Sequence, residues 1–461
     1  MGLCKLPICG LLSDGLIHIC VECRITNFVF GGVVLKKNPD FRIVPVIACL
    51  ITMLCVGIEY MWGSFQRAVI DHYAGAGAAT ASLESSVRMV SSAMIFMFVV
   101  GIFVGGLLLN KLGPKRVVMI AGVLFFSGLM LTSVVTTLTS DKLWLIYITY
   151  GVLAGTGVGL AYSAAINCVQ QWLPHRRGFA SGICVCAFGL SIVIFAPVAK
   201  WLLESGGVPF TFRMFAIILG VLVFIMAFFM NTPKAGYAAA LGVKGIEEKD
   251  AYSLGEAARD PRFWFMCSAL FFLPAANMII LPLVQTLALQ RGVSASQALL
   301  TQQLVGVASA ASRLILPTLS DKISRSKTIF TMTIVMMISS LLMTFAGGIL
   351  YSIAIFFIVF AYSGPAGIYP AMAGEAYGMK NMSSIFGMAF LSIGLSTFAF
   401  NQLSTWINTV VNANKPTNEY DYTAIFIVSG VVNLVPLVCM LIYDRVGKKR
   451  DAKRALIRSS T

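Results

Sequence analysis

Twelve stretches of the chain are almost purely apolar, and each is bounded by charged or turn residues. They run near Val44–Trp62, Met89–Leu109, Val117–Leu138, Leu143–Ile166, Phe179–Leu203 and Phe212–Met230, then near Phe263–Leu289, Leu299–Leu319, Thr328–Phe345, Ile349–Met372, Met382–Ile407 and Tyr422–Tyr443. A helix needs about 20 apolar residues to cross a bilayer, and most of these runs reach that length. The period-2 alternation of a membrane β-barrel is not visible. Gly and Pro inside the runs suit bilayer helices, where neighbouring helices re-satisfy the freed backbone groups. The pattern predicts an all-α membrane protein with twelve transmembrane helices.

Composition sharpens this picture. Of 461 residues, 58% are hydrophobic and 11% charged, against about 25% charged in ordinary soluble proteins. A soluble enzyme and a disordered chain are excluded. The net charge of +15 could suggest a nucleic-acid partner, but its distribution reports topology. With the N-terminus in the cytosol, 26 of the 34 Lys and Arg residues fall on the cytosolic side, seven lie at the outer loops, and Arg313 sits inside a run. Both termini are therefore expected in the cytosol, with basic loops against an anionic leaflet. The plasma membrane is the expected location, with an organelle membrane left open.

The runs divide the chain into five parts: an N-terminal extension over 1–42, a six-helix half over 43–231, a cytosolic linker over 232–262, a second six-helix half over 263–444, and a basic tail over 445–461. The extension carries Cys4, Cys9, Cys20 and Cys23 beside His18. A zinc site there lacks the usual second paired motif, so no metal is expected. No phosphate-binding loop occurs, and no cofactor is expected. The linker holds the cluster Glu247, Glu248, Lys249 and Asp250 and reads as a solvated connector.

An internal repeat relates the halves. Gly106 to Arg116 (G-L-L-L-N-K-L-G-P-K-R) aligns with Pro317 to Lys327 (P-T-L-S-D-K-I-S-R-S-K) at an offset of 211 residues, pairing Asn110 with Asp321 and Lys111 with Lys322. Gly182 to Ser191 aligns with Gly387 to Ser396 at an offset of 205. Such a parallel repeat implies two pseudo-symmetric halves with a binding site between them.

The loop G-x-x-x-[D/N]-K-x-G-x-K-R resembles the signature of the major facilitator superfamily. Within that family the chain resembles the oxalate/formate antiporter branch and the related monocarboxylate transporters. The segments Gly57–Trp62, Gly155–Tyr162, Trp172–Gly182, Ala187–Pro197 and Ser312–Lys322 carry the likeness, which covers about residues 41–445. The resemblance implies the major facilitator fold and alternating access. It also implies a cytosolic gate, placed here at Asn110, Lys111, Lys115, Arg116, Asp321, Lys322 and Arg325. Asn110 stands where the signature usually has Asp, which weakens that latch in the first half.

An ionisable group inside a span is expensive and marks function by default. Arg313, about 9 Å from the cytosolic end of its run at 1.5 Å per residue, offers a guanidinium fork that fits a carboxylate. In the resembling families an arginine at the matching position binds the substrate carboxylate. Glu59 is the other such group and a candidate proton carrier, with a hydrated residue at the outer mouth as the alternative. It lies about 22 Å from its cytosolic end, roughly 13 Å from Arg313 in depth, so a direct salt bridge between the two is disfavoured. Tyr60, Tyr162, Tyr362, Tyr369 and Phe390 are the expected aromatic walls. Trp62 and Trp406 read as interface-belt anchors, and Gly155, Gly157 and Gly159 as close helix packing.

Oxalate carriers place a second cation in the eleventh helix, where this chain has Ile393. One cation balances a monoanion, so lactate, pyruvate, formate or acetate fit better than a dicarboxylate. Ser309 replaces the acid that monocarboxylate carriers place one turn before the arginine, so any proton relay must differ. The expectation is a secondary transporter, working as a monomer, that moves a small monocarboxylate, with protons as a candidate second partner and Glu59 as the candidate for coupling them. An anion exchanger and a non-transporting sensor of the same fold remain as alternatives.

Overall fold

The computed structural model of the chain describes residues 43–74, 81–139, 142–234, 236–243, 251–280, 295–413 and 421–459. The N-terminal extension and the 247–250 charge cluster lie outside the described residues. Everything discussed below belongs to one compact unit, Val44–Thr461.

The twelve expected spans are present as helices, and most extend beyond their apolar runs. Span 1 joins Ile43–Val56, a 3₁₀ stretch Gly57–Met61 and Trp62–Ala74. Spans 2 and 3 form Ala81–Val135, broken at Gly113, whose φ of 73° turns the chain between them. Span 4 is Trp144–Ile146, a π stretch Tyr147–Ala154 and Gly155–Trp172. Spans 5 and 6 run through Arg177–Phe215 to Val221–Ala227, with the break at Gly207. Span 7 is Pro261–Phe272 and Ala275–Ile280, and its outer part lies outside the described residues. Spans 8 to 11 are Ala295–Ser320, Arg325–Leu342, Gly348–Ser363 with Pro365–Tyr377, and Met382–Val411. Span 12 joins Thr423–Val432 to Leu434–Ser459. The expected tail therefore begins as a continuation of span 12.

Among the described residues, seven helices are long and apolar enough to cross a membrane, and Ile43–Glu59 and Leu304–Ser320 are shorter apolar segments. The chain is an integral, multi-pass membrane protein with the all-helical fold of two pseudo-symmetric six-helix halves. Side chains such as Phe345, Ile349, Phe398 and Trp406 are exposed, as lipid-facing residues are. The glycines of span 4 make the close approaches expected of them: a Cβ added at Gly159 would lie 2.2 Å from the Phe98 carbonyl of span 2.

The loops 106–116 and 317–327 emerge at one end of the bundle, called here the basic end. Hydrogen bonds between the halves cluster there. Span 5 is largely buried from Gly178 to Phe188, whereas Leu190, Ile192, Val193 and Ile194 are exposed. Span 11 follows the same course, buried over Met382–Gly387 and exposed at Leu395 and Phe398.

Candidate functional site

Span 8 runs toward the basic end and lies against a small-residue face of span 5 formed by Gly182, Cys186 and Gly189. An added Cβ at Gly182 would lie 2.9 Å from the Arg313 carbonyl, and the Cys186 thiol reaches the Ala310 carbonyl at 3.8 Å. An added Cβ at Gly189 would lie 2.3 Å from Arg313 Nη1. The Arg313 backbone is thus level with Gly182, while its guanidinium is seven residues further along span 5, about 10 Å away. Helical side chains lean toward the N-terminus of their own helix, and for span 8 that direction is away from the basic end. Arg313 is 9% exposed.

Glu59 comes to meet it. It sits in the 3₁₀ stretch of span 1, an irregularity that often marks a functional segment. Gly57, two residues before it, is pressed on span 5, where an added Cβ would lie 2.2 Å from the Phe188 carbonyl and 2.6 Å from Ser191 Cβ. Measured along span 5, Glu59 and the Arg313 guanidinium stand at one level. The backbones keep the expected separation in depth, with Arg313 against Gly182 and Gly57 against Phe188 and Ser191, and the side chains close it. That separation was counted between backbone positions, and span 1 runs opposite to span 8, so the two side chains lean toward each other. Glu59 is 6% exposed, and among the described residues its Oε2 has no hydrogen-bond partner. A buried unsatisfied carboxylate oxygen calls for an explanation, and function is one.

Tyr150 of span 4 was not foreseen. Among the described residues its hydroxyl is buried without a partner, and its ring packs on Trp62 at 4.7 Å between centroids. The only signal in the sequence was a tyrosine in an apolar run. Trp62 is 3% exposed and donates from Nε1 to the Val87 carbonyl at 3.1 Å. It is a core residue and not a belt anchor, because span 1 continues to Ala74 past the polar residues that end its apolar run.

Tyr162 and Phe390 enter an aromatic cluster that joins the halves. Phe98 lies 5.3 Å from Tyr162, 5.8 Å from Phe188 and 6.3 Å from Phe390, and Tyr162 lies 6.3 Å from Phe390. Phe188 precedes Gly189 on span 5, one residue nearer the basic end. Tyr362 is half-buried on span 10, next to Ser363, whose hydroxyl meets that of Ser309 at 3.0 Å, one turn before Arg313. Tyr369 is placed elsewhere: it is buried in the second half, where Cys267, Cys439 and Tyr443 face it. The Tyr60 side chain lies outside the described residues. Ile393 is half-buried on span 11.

Two seams close the basic end, and the repeat relates them. In the first, Asp321 at the end of span 8 accepts from the Gly178 and Phe179 amides at the start of span 5, at 2.9 and 2.8 Å. This places a carboxylate on a helix N-terminus. Asp321 also pairs with Arg325, which reaches Glu375 of span 10 at 2.7 Å and the Ser320 hydroxyl at 2.7 Å. In the second seam, Asn110 donates to Asn381 at 2.7 Å, Ser384 to the Gly106 carbonyl at 2.7 Å, and Asn167 to Ser383 at 2.8 Å. Lys111, Arg116 and Lys322 are exposed, and Lys115 lies over the Phe228 ring at 5.0 Å. Glu375 and Asn381 were not foreseen. Glu375 carried a signal, as an acid in an otherwise small and apolar stretch, and Asn381 carried none.

The linker docks on the same end. Asn381 donates to the Tyr252 carbonyl at 2.7 Å, and the Tyr252 amide donates to the Tyr377 carbonyl at 3.0 Å. Arg450, on the continuation of span 12, holds Asp260 at 2.9 Å. The short helix Leu254–Arg259 is capped by Ser253 and Glu256, and the Ser253 backbone and side-chain hydrogen bonds hold the Glu256 carboxyl below its usual range. A polar cavity of about 430 Å³ lined by Arg262, Arg325, Glu375, Asp444 and Arg450 opens here, distinct from the Arg313 level.

A two-half helical bundle with two buried ionisable side chains, Glu59 and Arg313, at one level on its seam is the architecture of a membrane carrier. The chain belongs to the Major Facilitator Superfamily, which matches residues 46–401. It is 28% identical over 368 residues to the uncharacterized MFS-type transporter YhjX of Escherichia coli, covering 77% of this chain and 86% of that one. It is 26% identical over 377 residues to the oxalate:formate antiporter of Oxalobacter formigenes, covering 77% and 85%. A 102-residue stretch is 35% identical to monocarboxylate transporter 13 of Rattus norvegicus, covering 22% and 23%. The solved structure of the transporter FucP in the outward conformation superposes with a TM-score of 0.64 at 15% identity, over 88% of this chain and 99% of that one, a likeness of fold.

Proposed function

We propose that the protein is a secondary active transporter that moves a small monocarboxylate together with a proton by alternating access. The observation that carries this reading is the placement of Arg313 and Glu59 at one level on the seam, both buried. The empty site holds one positive and one negative charge and is neutral overall. A bound monocarboxylate takes the guanidinium fork and leaves Glu59 without its counter-charge, so the anion and a proton on Glu59 favour each other's binding. The fully loaded site is again neutral. A site carrying only one of the two ligands holds a net charge, which is costly to carry through the low-dielectric seam. Empty and fully loaded carriers therefore reorient, and half-loaded ones do not, which is the condition for coupling.

Arg313 as the cation, with Ile393 at the second position, favours a monoanion over a dicarboxylate. The clustered seam bonds support a state closed at the basic end, which the Lys and Arg bias assigns to the cytosol. The names of the oxalate:formate antiporter and the monocarboxylate transporter agree with an organic anion as substrate. The test is uptake of radiolabelled formate, acetate, pyruvate, lactate and oxalate into proteoliposomes, with and without an inward proton gradient. Gradient-driven monocarboxylate uptake that is absent in Arg313→Gln is the expected result. Uptake that needs internal anion and ignores the gradient would make the protein an exchanger, and undiminished uptake in Arg313→Gln would overturn the anion site.

A further inference from the structure

We infer that Gly189 is a positioning residue that fixes where the Arg313 guanidinium stands and so sets how large an anion the site accepts; this rests on the proposed role of Arg313. The argument turns on what a side chain at position 189 would meet. An added Cβ would lie 2.3 Å from Arg313 Nη1, 3.2 Å from Cζ and 3.5 Å from Cδ. The atoms in the way belong to the far end of a long side chain, not to backbone. A methyl group there would be accommodated by moving the guanidinium about 1 Å, at little cost to the fold. Two-pronged recognition of a carboxylate needs its donors placed within about 0.5 Å. The same shift is therefore small for stability and large for binding.

The neighbouring glycines set this one apart. Gly182 lies on the same face of span 5, but a Cβ there would meet the Arg313 carbonyl at 2.9 Å and Pro317 Cβ at 3.2 Å. Those atoms are part of the helix seam and cannot swing aside. Gly394 is the repeat partner of Gly189 at the offset of 205, and a Cβ there would lie 3.6 Å from Val99 Cγ1, an ordinary contact. In the repeat, the residue matching Arg313 at the offset of 211 is Ile102. Only the half that has the cation uses its glycine to make room for one.

The position of the aromatic cluster says which anions would suffer. Phe188, 1% exposed, precedes Gly189 on span 5 and packs with Phe98 and Tyr162 at 5.8 and 5.3 Å, an aromatic wall one residue nearer the basic end. A displaced cation moves with its carboxylate. Formate has nothing beyond the carboxylate and can follow, whereas the rest of pyruvate or lactate must stay within fixed walls. Substitution at 189 therefore narrows the accepted size.

The experiment measures KM and maximal rate for formate, acetate, pyruvate and lactate in proteoliposomes, with thermal unfolding of the purified protein in parallel. Gly189→Ala is expected to raise the KM for pyruvate and lactate at least tenfold and that for formate less than threefold, with Tm within about 2 °C of wild type. Gly182→Ala is expected to lower Tm and leave the order of preference among anions unchanged, and Gly394→Ala is expected to change neither. If Gly189→Ala transports all four anions with wild-type KM, or loses all four equally, the inference is overturned. A large fall in Tm would overturn it too, because the space would then serve packing. Full activity of Arg313→Gln would instead bring down the proposed function, a result separable from an inert Gly189→Ala in a protein that still needs Arg313.

Discussion

The seam between spans 5 and 8 and the seam between spans 2 and 11 occupy equivalent places in the two halves, and they differ in charge. In the first, Asp321 binds two backbone amides and Arg325. In the second, the equivalent Asn110 makes one neutral, exposed bond to Asn381. The difference continues inward, where Arg313 on one seam corresponds to Ile102 on the other. Repeat symmetry therefore supplies the shape of both seams, and the chemistry has been concentrated in one. A carrier whose site lies on one seam needs only that seam to hold and release charge, while the other can act as a close-packed, mostly neutral hinge.

Breaking the charged seam at its centre should have the largest effect. Arg313→Gln leaves Glu59 buried without its cation, and monocarboxylate uptake in proteoliposomes is expected to fall at least a hundredfold. Glu59→Gln should come next: uptake no longer accumulates against a gradient or responds to external pH, while exchange of labelled for unlabelled anion continues. The sign follows from the charge balance, since wild-type uptake should rise as external pH falls and the glutamine variant, neutral at every pH, should show no such rise.

Asp321→Asn tests the latch of the same seam. Loss of a buried, charge-assisted pairing costs about 3 kcal/mol, which should open the basic end. Ser181→Cys, buried there and bonded to Gly367, should then react with a maleimide at least tenfold faster in the Asp321→Asn background. Asn110→Ala on the opposite seam removes one exposed hydrogen bond worth about 1 kcal/mol or less. Maleimide labelling of Ser384→Cys should accelerate no more than a few-fold in that background. Equal effects of the two latch substitutions would erase the asymmetry argued here.

Much of this was legible in the sequence, and the failures have physical causes. Arg313 and Glu59 stood out because an ionised side chain in an apolar run is rare. The repeat placed Asn110 and Asp321 in equivalent positions, though not their partners, because the Gly178 and Phe179 amides carry no side-chain signature. The depth separation of the Arg313 and Glu59 backbones was legible by counting residues, but not that their side chains lean toward each other from antiparallel helices. Tyr369 was expected beside Arg313 but faces spans 7 and 12, since a run that is apolar on all sides does not reveal which face looks inward. Trp62 was misread because hydropathy marks where a run becomes polar, and the helix of span 1 does not stop there.

The most direct test of the account is the number of protons taken up when the anion binds. Calorimetric titration of the purified protein with pyruvate, in buffers of different ionisation enthalpy near neutral pH, measures it without any assumption about orientation in the membrane. The account predicts uptake of about one proton per pyruvate in the wild type, none in Glu59→Gln, and no measurable binding in Arg313→Gln. Pyruvate binding to the wild type with no proton taken up, or unimpaired binding to Arg313→Gln, would contradict it.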